Sequence, residues 1–102
     1  MADFAATHPG AVLRDDFLAR LKLSHRALAK AIGVPHLRVR EIVNGQRALT
    51  SEEALRLARH FGTSAKFWIG LQASYDLDMA RSRVGAKIKA GVAPRAAAHR
   101  WW

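Results

Sequence analysis

Two short segments with helical periodicity, separated by a three-residue turn, constrain the fold of this chain more than any other feature. Residues 25–32 and 36–43 each repeat apolar residues at three- and four-residue spacing. Gly33 follows the first segment, where a helix end favours a positive φ, and Pro35 suits the first turn of the next helix. The Asn-Gly pair at 44–45 ends the second segment. The sequence therefore predicts two short helices joined by a tight turn.

Three further helices are predicted around this pair. One follows residues 9–10 and ends near Lys22, another extends from a capping box at Thr50 and Glu53 to Gly62, and the last runs from residue 63 or 64 to about Arg81. The inward-facing residues are predicted to be Val12, Leu13, Phe17, Leu18 and Leu21 in the first helix, Leu28, Ala29 and Ile32 in the second, Val39, Ile42 and Val43 in the third, and Ala54, Leu55, Ala58 and Phe61 in the fourth. The predicted fold is all-α, a compact five-helix domain over residues 1–82.

Apolar residues cover more of the fifth helix than one packed face requires. The helix is therefore either central in the fold or shared between the domain and a second copy of the chain, and we favour the second interpretation. The predicted dimer interface consists of Trp68, Ile69, Leu71, Tyr75 and Met79. Glycines, Pro94 and an Ala-rich run follow, so residues 83–102 are predicted to form a flexible basic tail, disordered or conditionally ordered.

The charge balance favours a polyanionic partner. The chain has 17 Lys and Arg against 8 Asp and Glu, a net charge of +9. Nucleic acid is the first candidate for a small protein with this surplus, and an anionic membrane surface is the second. Six of the basic residues lie between Arg81 and the end of the chain, where there is no acid. Net charge alone therefore does not locate a binding face.

The helix pair at residues 23–47 has the layout in which a second helix enters the DNA major groove while the first crosses the phosphate backbone. With Val39, Ile42 and Val43 inward, the outer side of the second helix is left for base recognition. The predicted base-reading residues are His36, Leu37, Arg38, Arg40 and Glu41. The predicted contacts to the DNA backbone are Ser24, His25, Arg26, Asn44, Gln46 and Arg47. For each single residue, a solvated helix face is the alternative.

No motif for catalysis or metal binding is present. The sequence contains no G-x-S-x-G, P-loop or H-E-x-x-H pattern, and its five histidines are scattered without a metal-binding spacing. There is no cysteine, no apolar run long enough to span a bilayer and no secretory leader. We expect no enzymatic activity, no cofactor, no metal and no membrane partner, and a cytoplasmic location.

Several strings in this order resemble the HigA-type antitoxin family, within the phage-repressor-like helix-turn-helix regulators. They are THPGAVLRDDFL, LSHRALAKAIGVP, RVREIVNGQRALT, ALRLARHFGTSAKFW and LQASYDL, and the resemblance covers about residues 7–80. It implies a bacterial homodimer that represses its own operon at a palindromic double-stranded operator and silences a cognate toxin, a small mRNA-cleaving RNase. It also implies association with the nucleoid when bound. Arg38, Glu41, Asn44, Gly45 and Arg47 match the family pattern, while His36, Leu37 and Arg40 occupy positions where the family varies.

Three other functions remain open at this level. The chain is alternatively a stand-alone helix-turn-helix regulator without a toxin, or a protein-binding module with vestigial DNA contacts. A third alternative is unspecific coating of nucleic acid by the basic tail. For the tail itself, phosphate attraction, folding against the toxin through Trp101 and Trp102, and no function are all compatible with the sequence.

Overall fold

The computed structural model describes residues 7–95, and its regular elements are all helices. Helix α1 consists of three consecutive segments, α-helical Pro9–Val12, π-helical Leu13–Leu18 and α-helical Ala19–Leu21. Helices α2, His25–Ile32, and α3, His36–Val43, form the expected pair. They are followed by α4, Ser51–Phe61, and α5, Ala65–Gly91. The all-α prediction with five helices is confirmed.

The helices begin and end near the predicted residues, and hydrogen bonds to capping residues satisfy the backbone groups at these ends. The Ser24 hydroxyl accepts a hydrogen bond from the backbone N–H of Ala27, and Thr50 forms a reciprocal capping box with Glu53. Gly33 and Gly62 end their helices with φ values of 76° and 73°, a region in which glycine has no steric penalty. Pro35 differs from the prediction, because its extended ψ of 144° places it one residue before α3 rather than in its first turn.

The π-helical part of α1 explains how two leucines five positions apart share one face. Hydrogen bonds in a π-helix link residues five apart, so Leu13 and Leu18 lie nearly above one another. Both are buried, whereas Asp15 and Asp16 point to solvent as expected. Leu21, predicted to face inward, is 59% exposed because α1 ends there and Lys22 turns the chain away with a positive φ.

The core lies between all five helices and is centred on Trp68. The Trp68 ring is fully buried, packs against Phe17 at 5.0 Å between ring centroids, and donates from Nε1 to the Thr63 hydroxyl at 2.7 Å. The predicted inward faces of α2 and α3 are confirmed, since all six residues are buried. In α4 the prediction is wrong at Leu55, which is 62% exposed, while Leu57 takes the inner position.

The loop between α3 and α4 is fastened to α5 by a buried glutamine. The Gln72 side chain accepts a hydrogen bond from the backbone N–H of Leu49 at 2.7 Å. Its amide group donates to Asp76 at 2.9 Å, so both ends of the amide are satisfied. This arrangement fixes the chain directly after α3 against the longest helix of the protein.

Helix α5 continues ten residues past its predicted end at Arg81 and stops at Gly91. Residues 83–91, which were predicted to be disordered or conditionally ordered, are helical here, since the alanines and lysines among them are good helix formers. Pro94 disfavours helix in the residue before it, and Val92 is already extended. The helix makes the molecule elongated, with extents of 52 × 23 × 20 Å. Trp101 and Trp102 lie outside the described residues.

Within residues 7–95, no helix has the length and apolar character needed to cross a membrane.

The amino end of α1 touches the carboxyl end of α3 at Gly10. A Cβ at this position would lie 2.8 Å from the carbonyl carbon of Ile42 and still closer to its oxygen. His8 caps the same end, because its Nδ1 accepts a hydrogen bond from the Gly10 N–H at 2.9 Å. Burial lowers the pKa of His8, although the Arg47 backbone and the charge of Asp76 act to raise it. The lowered pKa favours the neutral imidazole, in which Nδ1 can accept the bond from Gly10.

We expect Gly10→Ala to destabilise the protein by about 2–3 kcal/mol, because the methyl group must push two backbones apart. Gly91→Ala is the matched control, since Gly91 is also helical and an added Cβ there meets no atom within 4 Å. Urea unfolding measures both variants. Equal stability of Gly10→Ala and the wild type would show that α1 and α3 do not approach this closely.

Candidate DNA-binding surface

Helices α2 and α3 bury their apolar faces against the core and leave one continuous outer side. On α3 and at its C-cap Asn44, positions 37, 40 and 44 follow one another at three- and four-residue spacing and are exposed. We call this outer side, together with the amino end of α2 and the loop after α3, the α2–α3 surface. It contains Ser24, His25, Arg26, His36, Leu37, Arg40, Asn44, Gln46 and Arg47.

The amino ends of α2 and α3 meet at one edge of this surface. The rings of His25 and His36 lie 6.4 Å apart between centroids, and both are half-buried. Arg26 is exposed beside them. The Ser24 hydroxyl is used as an acceptor in the cap and retains its own O–H for another partner. Backbone N–H groups and these side chains together suit a phosphate.

Leu37 and Arg40 are the most outward residues of α3. Leu37 is 61% exposed, which leaves a large apolar side chain in water on an otherwise polar face. Arg40 is exposed as well, and within residues 7–95 no acidic side chain forms an ion pair with it. A free guanidinium beside an apolar group is suited to the edges of base pairs, where guanine offers two acceptors and thymine a methyl group.

Arg38 is already bound within the protein, which argues against the prediction that it reads bases. Its guanidinium forms a two-bonded pair with the Glu53 carboxylate, with Nη2 at 2.8 Å from Oε1 and Nε on Oε2. Nη2 also donates to the carbonyl of Ala48 at 3.0 Å. The side chain is only 16% exposed. Releasing it toward DNA would leave the carboxylate of Glu53 buried without a counter-ion.

Glu53 has two roles, of which the sequence indicated only the cap. Its Oε1 accepts from the backbone N–H of Thr50 at 2.8 Å as well as from Arg38. Burial alone would raise the pKa of Glu53, but the bonds from Arg38 and Thr50 outweigh burial and lower the pKa below its usual value. The carboxylate is therefore ionised at neutral pH and joins the start of α4 to the middle of α3.

The loop after α3 carries the remaining predicted backbone contacts. Asn44, Gln46 and Arg47 are all exposed. Glu41 is half-buried and lies 3.6 Å from the Arg47 guanidinium, and it forms no ion pair with Arg38 or Arg40. Glu41 is the one acidic residue of α3, and Arg47 of the α2–α3 surface pairs with it. His8 lies behind this loop, where its ring would be 3.8 Å from a Cβ added at Gly45.

The predicted dimer interface on α5 faces mostly inward. Trp68 is fully buried in its own subunit, so the prediction that it contacts a second copy is wrong. Ile69 and Leu71 pack against the core from its margin. Tyr75 is half-buried and meets the His8 ring edge-on at 4.9 Å between centroids. Of the five residues, Met79 alone is largely exposed, at 43%.

Comparison with known proteins identifies this arrangement. The family described as Helix-turn-helix matches residues 16–68. Antitoxin HigA-1 of Vibrio cholerae is 34% identical over 80 residues, which are 78% of this chain and 75% of that protein. The structure of Pseudomonas aeruginosa antitoxin HigA with the higBA promoter is 40% identical, with a TM-score of 0.88 over 90% of this chain and 100% of that chain. This chain belongs to the HigA-type antitoxin family of helix-turn-helix proteins.

A further similar protein is virulence-associated protein I of Dichelobacter nodosus. It is 47% identical to this HigA-type chain over 78 residues, which make up 76% of this chain and 72% of that protein. HigA-type proteins are DNA-binding regulators without an enzymatic site. In the described part of the chain, no three His, Asp or Glu residues are grouped as metal ligands.

In this HigA-type chain, we expect Arg38→Ala to lower the free energy of unfolding by about 3 kcal/mol, because the substitution leaves the buried Glu53 carboxylate without a counter-ion. Arg40→Ala, two residues away and exposed, removes the same charge and should change stability by less than about 0.5 kcal/mol. Urea unfolding at pH 7 compares the two. Similar stabilities for both variants would contradict a structural role for Arg38.

Proposed function

We propose that this protein is a sequence-specific transcriptional repressor that binds a palindromic operator as a homodimer and neutralises a cognate toxin. The observation that carries the DNA-binding part is the exposed pair Leu37 and Arg40 on the outer side of α3, whose other side packs against the core. On this outer side Leu37 is 61% exposed, and Arg40 beside it forms no ion pair with an acidic side chain among the described residues.

Base recognition is assigned to the outward residues of α3. Arg40 has the length and the forked donors to bind guanine O6 and N7, and Leu37 suits a thymine methyl. His36, at the exposed start of the helix, is placed to donate to a base or a phosphate. Glu41, held by Arg47, contributes by orienting that arginine rather than by reading cytosine.

Contacts to the sugar-phosphate backbone would set the register of the protein on DNA. We assign these to both ends of the α2–α3 surface, with α2 supplying one set and the loop after α3 the other. The residues are Ser24, His25 and Arg26 on α2, and Asn44, Gln46 and Arg47 after α3. A dimer would then place two α3 helices about 34 Å apart, one turn of DNA.

The toxin-neutralising role is supported by the relatives whose names include the word antitoxin, such as HigA-1 of Vibrio cholerae. By the family resemblance, the toxin is an mRNA-cleaving RNase. A stand-alone regulator without a toxin is the competing function, since several similar proteins are named only as helix-turn-helix regulators.

We expect Arg40→Ala to weaken binding to the DNA upstream of the protein's own gene by about 10- to 100-fold, since a forked contact to guanine contributes about 1–3 kcal/mol. Binding to a scrambled duplex should fall only a few-fold, because one charge is lost. Arg59→Ala is the matched control: Arg59 is an exposed α4 residue lining a cleft with Ala31 and Leu55. Fluorescence anisotropy at two salt concentrations measures all three proteins. Equal loss on both duplexes would exclude base reading by Arg40.

For the antitoxin role, the adjacent gene is expressed alone and together with this protein. We expect growth arrest and mRNA cleavage from the neighbour alone, relief of both on co-expression, and co-purification of the two proteins. The Arg40→Ala variant should still neutralise, because its defect is confined to DNA. A harmless neighbour that does not co-purify would leave a stand-alone regulator.

A further inference from the structure

The loop between α3 and α4 is supported at two points. Near its end, the backbone N–H of Leu49 donates to the Gln72 side chain of α5 at 2.7 Å. Near its start, the loop lies against His8, whose Cγ would be 3.8 Å from a Cβ added at Gly45. The exposed side chains at positions 46–47 lie between these two points. Both supports therefore determine where the exposed part of the loop lies.

The His8 ring is itself held by two other helices. Its Nδ1 accepts a hydrogen bond from the Gly10 N–H at 2.9 Å, which fixes the ring at the start of α1. The ring meets Tyr75 of α5 edge-on, at 4.9 Å between centroids and 77° between planes. Tyr75 follows Gln72 by three residues, so one stretch of α5 supports both points of the loop. The imidazole is therefore a junction between α1, α5 and the loop after α3.

This junction requires a neutral imidazole. A neutral ring has one N–H group and one bare nitrogen, whereas a protonated ring has two N–H groups and no acceptor. Because Nδ1 of His8 accepts from Gly10, a proton on Nδ1 would replace the hydrogen bond with two opposed N–H groups. The ring would then have to leave its position between α1 and the loop.

Titratable groups face the ring from α5 and from the loop. On α5 these are Tyr75, in ring contact, and Asp76, whose charge acts to raise the pKa of His8. On the loop side the Arg47 backbone acts in the same direction, while the Arg47 guanidinium lies 3.6 Å from Glu41. Burial is the largest influence and lowers the pKa of His8 below its usual value. The folded protein therefore holds a neutral ring at pH 7.

We propose that His8, in its neutral form, is a positioning residue for DNA binding, which holds the loop after α3 so that Arg47 meets a phosphate group. His8 acts through the loop rather than by touching DNA. The inference rests on the proposed contacts of Asn44, Gln46 and Arg47 to the DNA backbone. Phosphate contacts orient a protein on DNA without reading sequence, so loss of the His8 ring should weaken binding to every duplex alike.

Two substitutions separate the helix cap from the ring. His8→Asn keeps a side-chain oxygen that can accept from the Gly10 N–H but removes the ring, whereas His8→Ala removes both. We expect both variants to bind the upstream duplex and a scrambled duplex about 5- to 10-fold more weakly at about 0.1 M salt. His60→Ala, at an exposed histidine of α4, is the matched control and should bind normally. Urea unfolding should find His8→Ala less stable than His8→Asn. DNA affinities that follow this order of stability, with His8→Asn unimpaired, would overturn the positioning role.

Salt dependence shows whether the effect of His8 passes through Arg47. Each phosphate contact contributes about 0.9 to the slope of log affinity against log salt concentration. We expect His8→Asn and Arg47→Ala each to reduce this slope by about one. The double variant should lose no more than Arg47→Ala alone, since the second substitution removes a support that no longer has a contact to hold. An unchanged slope in His8→Asn, or fully additive losses, would overturn the proposal.

Hydrogen exchange tests the loop without DNA. The N–H groups of Gly45 and Gln46 each donate to a carbonyl of α3, at 3.0 Å and 2.9 Å. In His8→Asn, we expect both amides to exchange about tenfold faster than in the wild type, as measured by nuclear magnetic resonance. Gly62 is the matched control, because it also follows a helix with a positive φ and donates to a carbonyl of that helix at 2.9 Å. Unchanged exchange at all three amides, or equal acceleration at all three, would exclude a specific hold on the loop.

The pH profile tests the requirement for a neutral ring. The ratio of wild-type to His8→Asn affinity cancels the titration of His25 and His36, which both proteins share. Because the pKa of His8 is lowered, this ratio should be constant above about pH 7 and fall towards one as the pH drops below about 6.5. A ratio that stays constant through the acid range would overturn the requirement for the neutral form.

The outcomes for His8 and for the proposed repressor are distinguishable. A wild type that binds the upstream and scrambled duplexes equally would count against sequence-specific repression, whereas the salt slopes and amide exchange rates would still decide the role of His8. Sequence-specific binding by the wild type, with a normal slope and normal exchange in His8→Asn, would count against the role of His8 alone.

Discussion

The ion pair between Arg38 and Glu53 is the interaction on which the α2–α3 surface depends. It joins the middle of α3 to the first turn of α4, and the same carboxylate completes the cap of α4 through Thr50. Arg38 additionally holds the carbonyl of Ala48 in the connecting loop. Because both charges are almost buried, neither group can leave without a large desolvation penalty for the other. The orientation of α3 relative to α4 is therefore fixed in the free protein.

Because α3 is held in this position, its two arginines have different roles. Arg38 serves the protein interior, while Arg40, two positions further on, projects into solvent beside Leu37. A helix held in this way loses little backbone freedom on binding, whereas the exposed Arg40 side chain still has to be ordered. Preorganisation of this kind increases affinity and specificity without additional contacts. The surface is consequently suited to discriminate between sequences, which the net charge alone would not achieve.

The sequence predicted best what depends on neighbouring residues. Caps such as Thr50 involve groups three residues apart, so spacing alone locates them. The partner of Arg38 is fifteen residues away, and no local pattern distinguishes an arginine that binds DNA from one that binds a distant carboxylate. In α4, spacings of three, four and seven residues from Ala54 select Leu57, Ala58 and Phe61, so the helical pattern itself favours Leu57 over Leu55 as the inward residue. For α5, the apolar content predicted contacts on two sides of the helix, but it did not show which side faces the core.

Nuclear magnetic resonance of the two guanidinium groups tests the division of roles most directly. The Nε–H signals of Arg38 and Arg40 are followed in the labelled protein, free and saturated with a duplex from upstream of its gene. We expect the Arg38 signal to stay in place, because its bond to Glu53 persists, and the Arg40 signal to shift strongly. A shift of the Arg38 signal with an unchanged Arg40 signal would contradict both the structural role of Arg38 and the recognition role of Arg40.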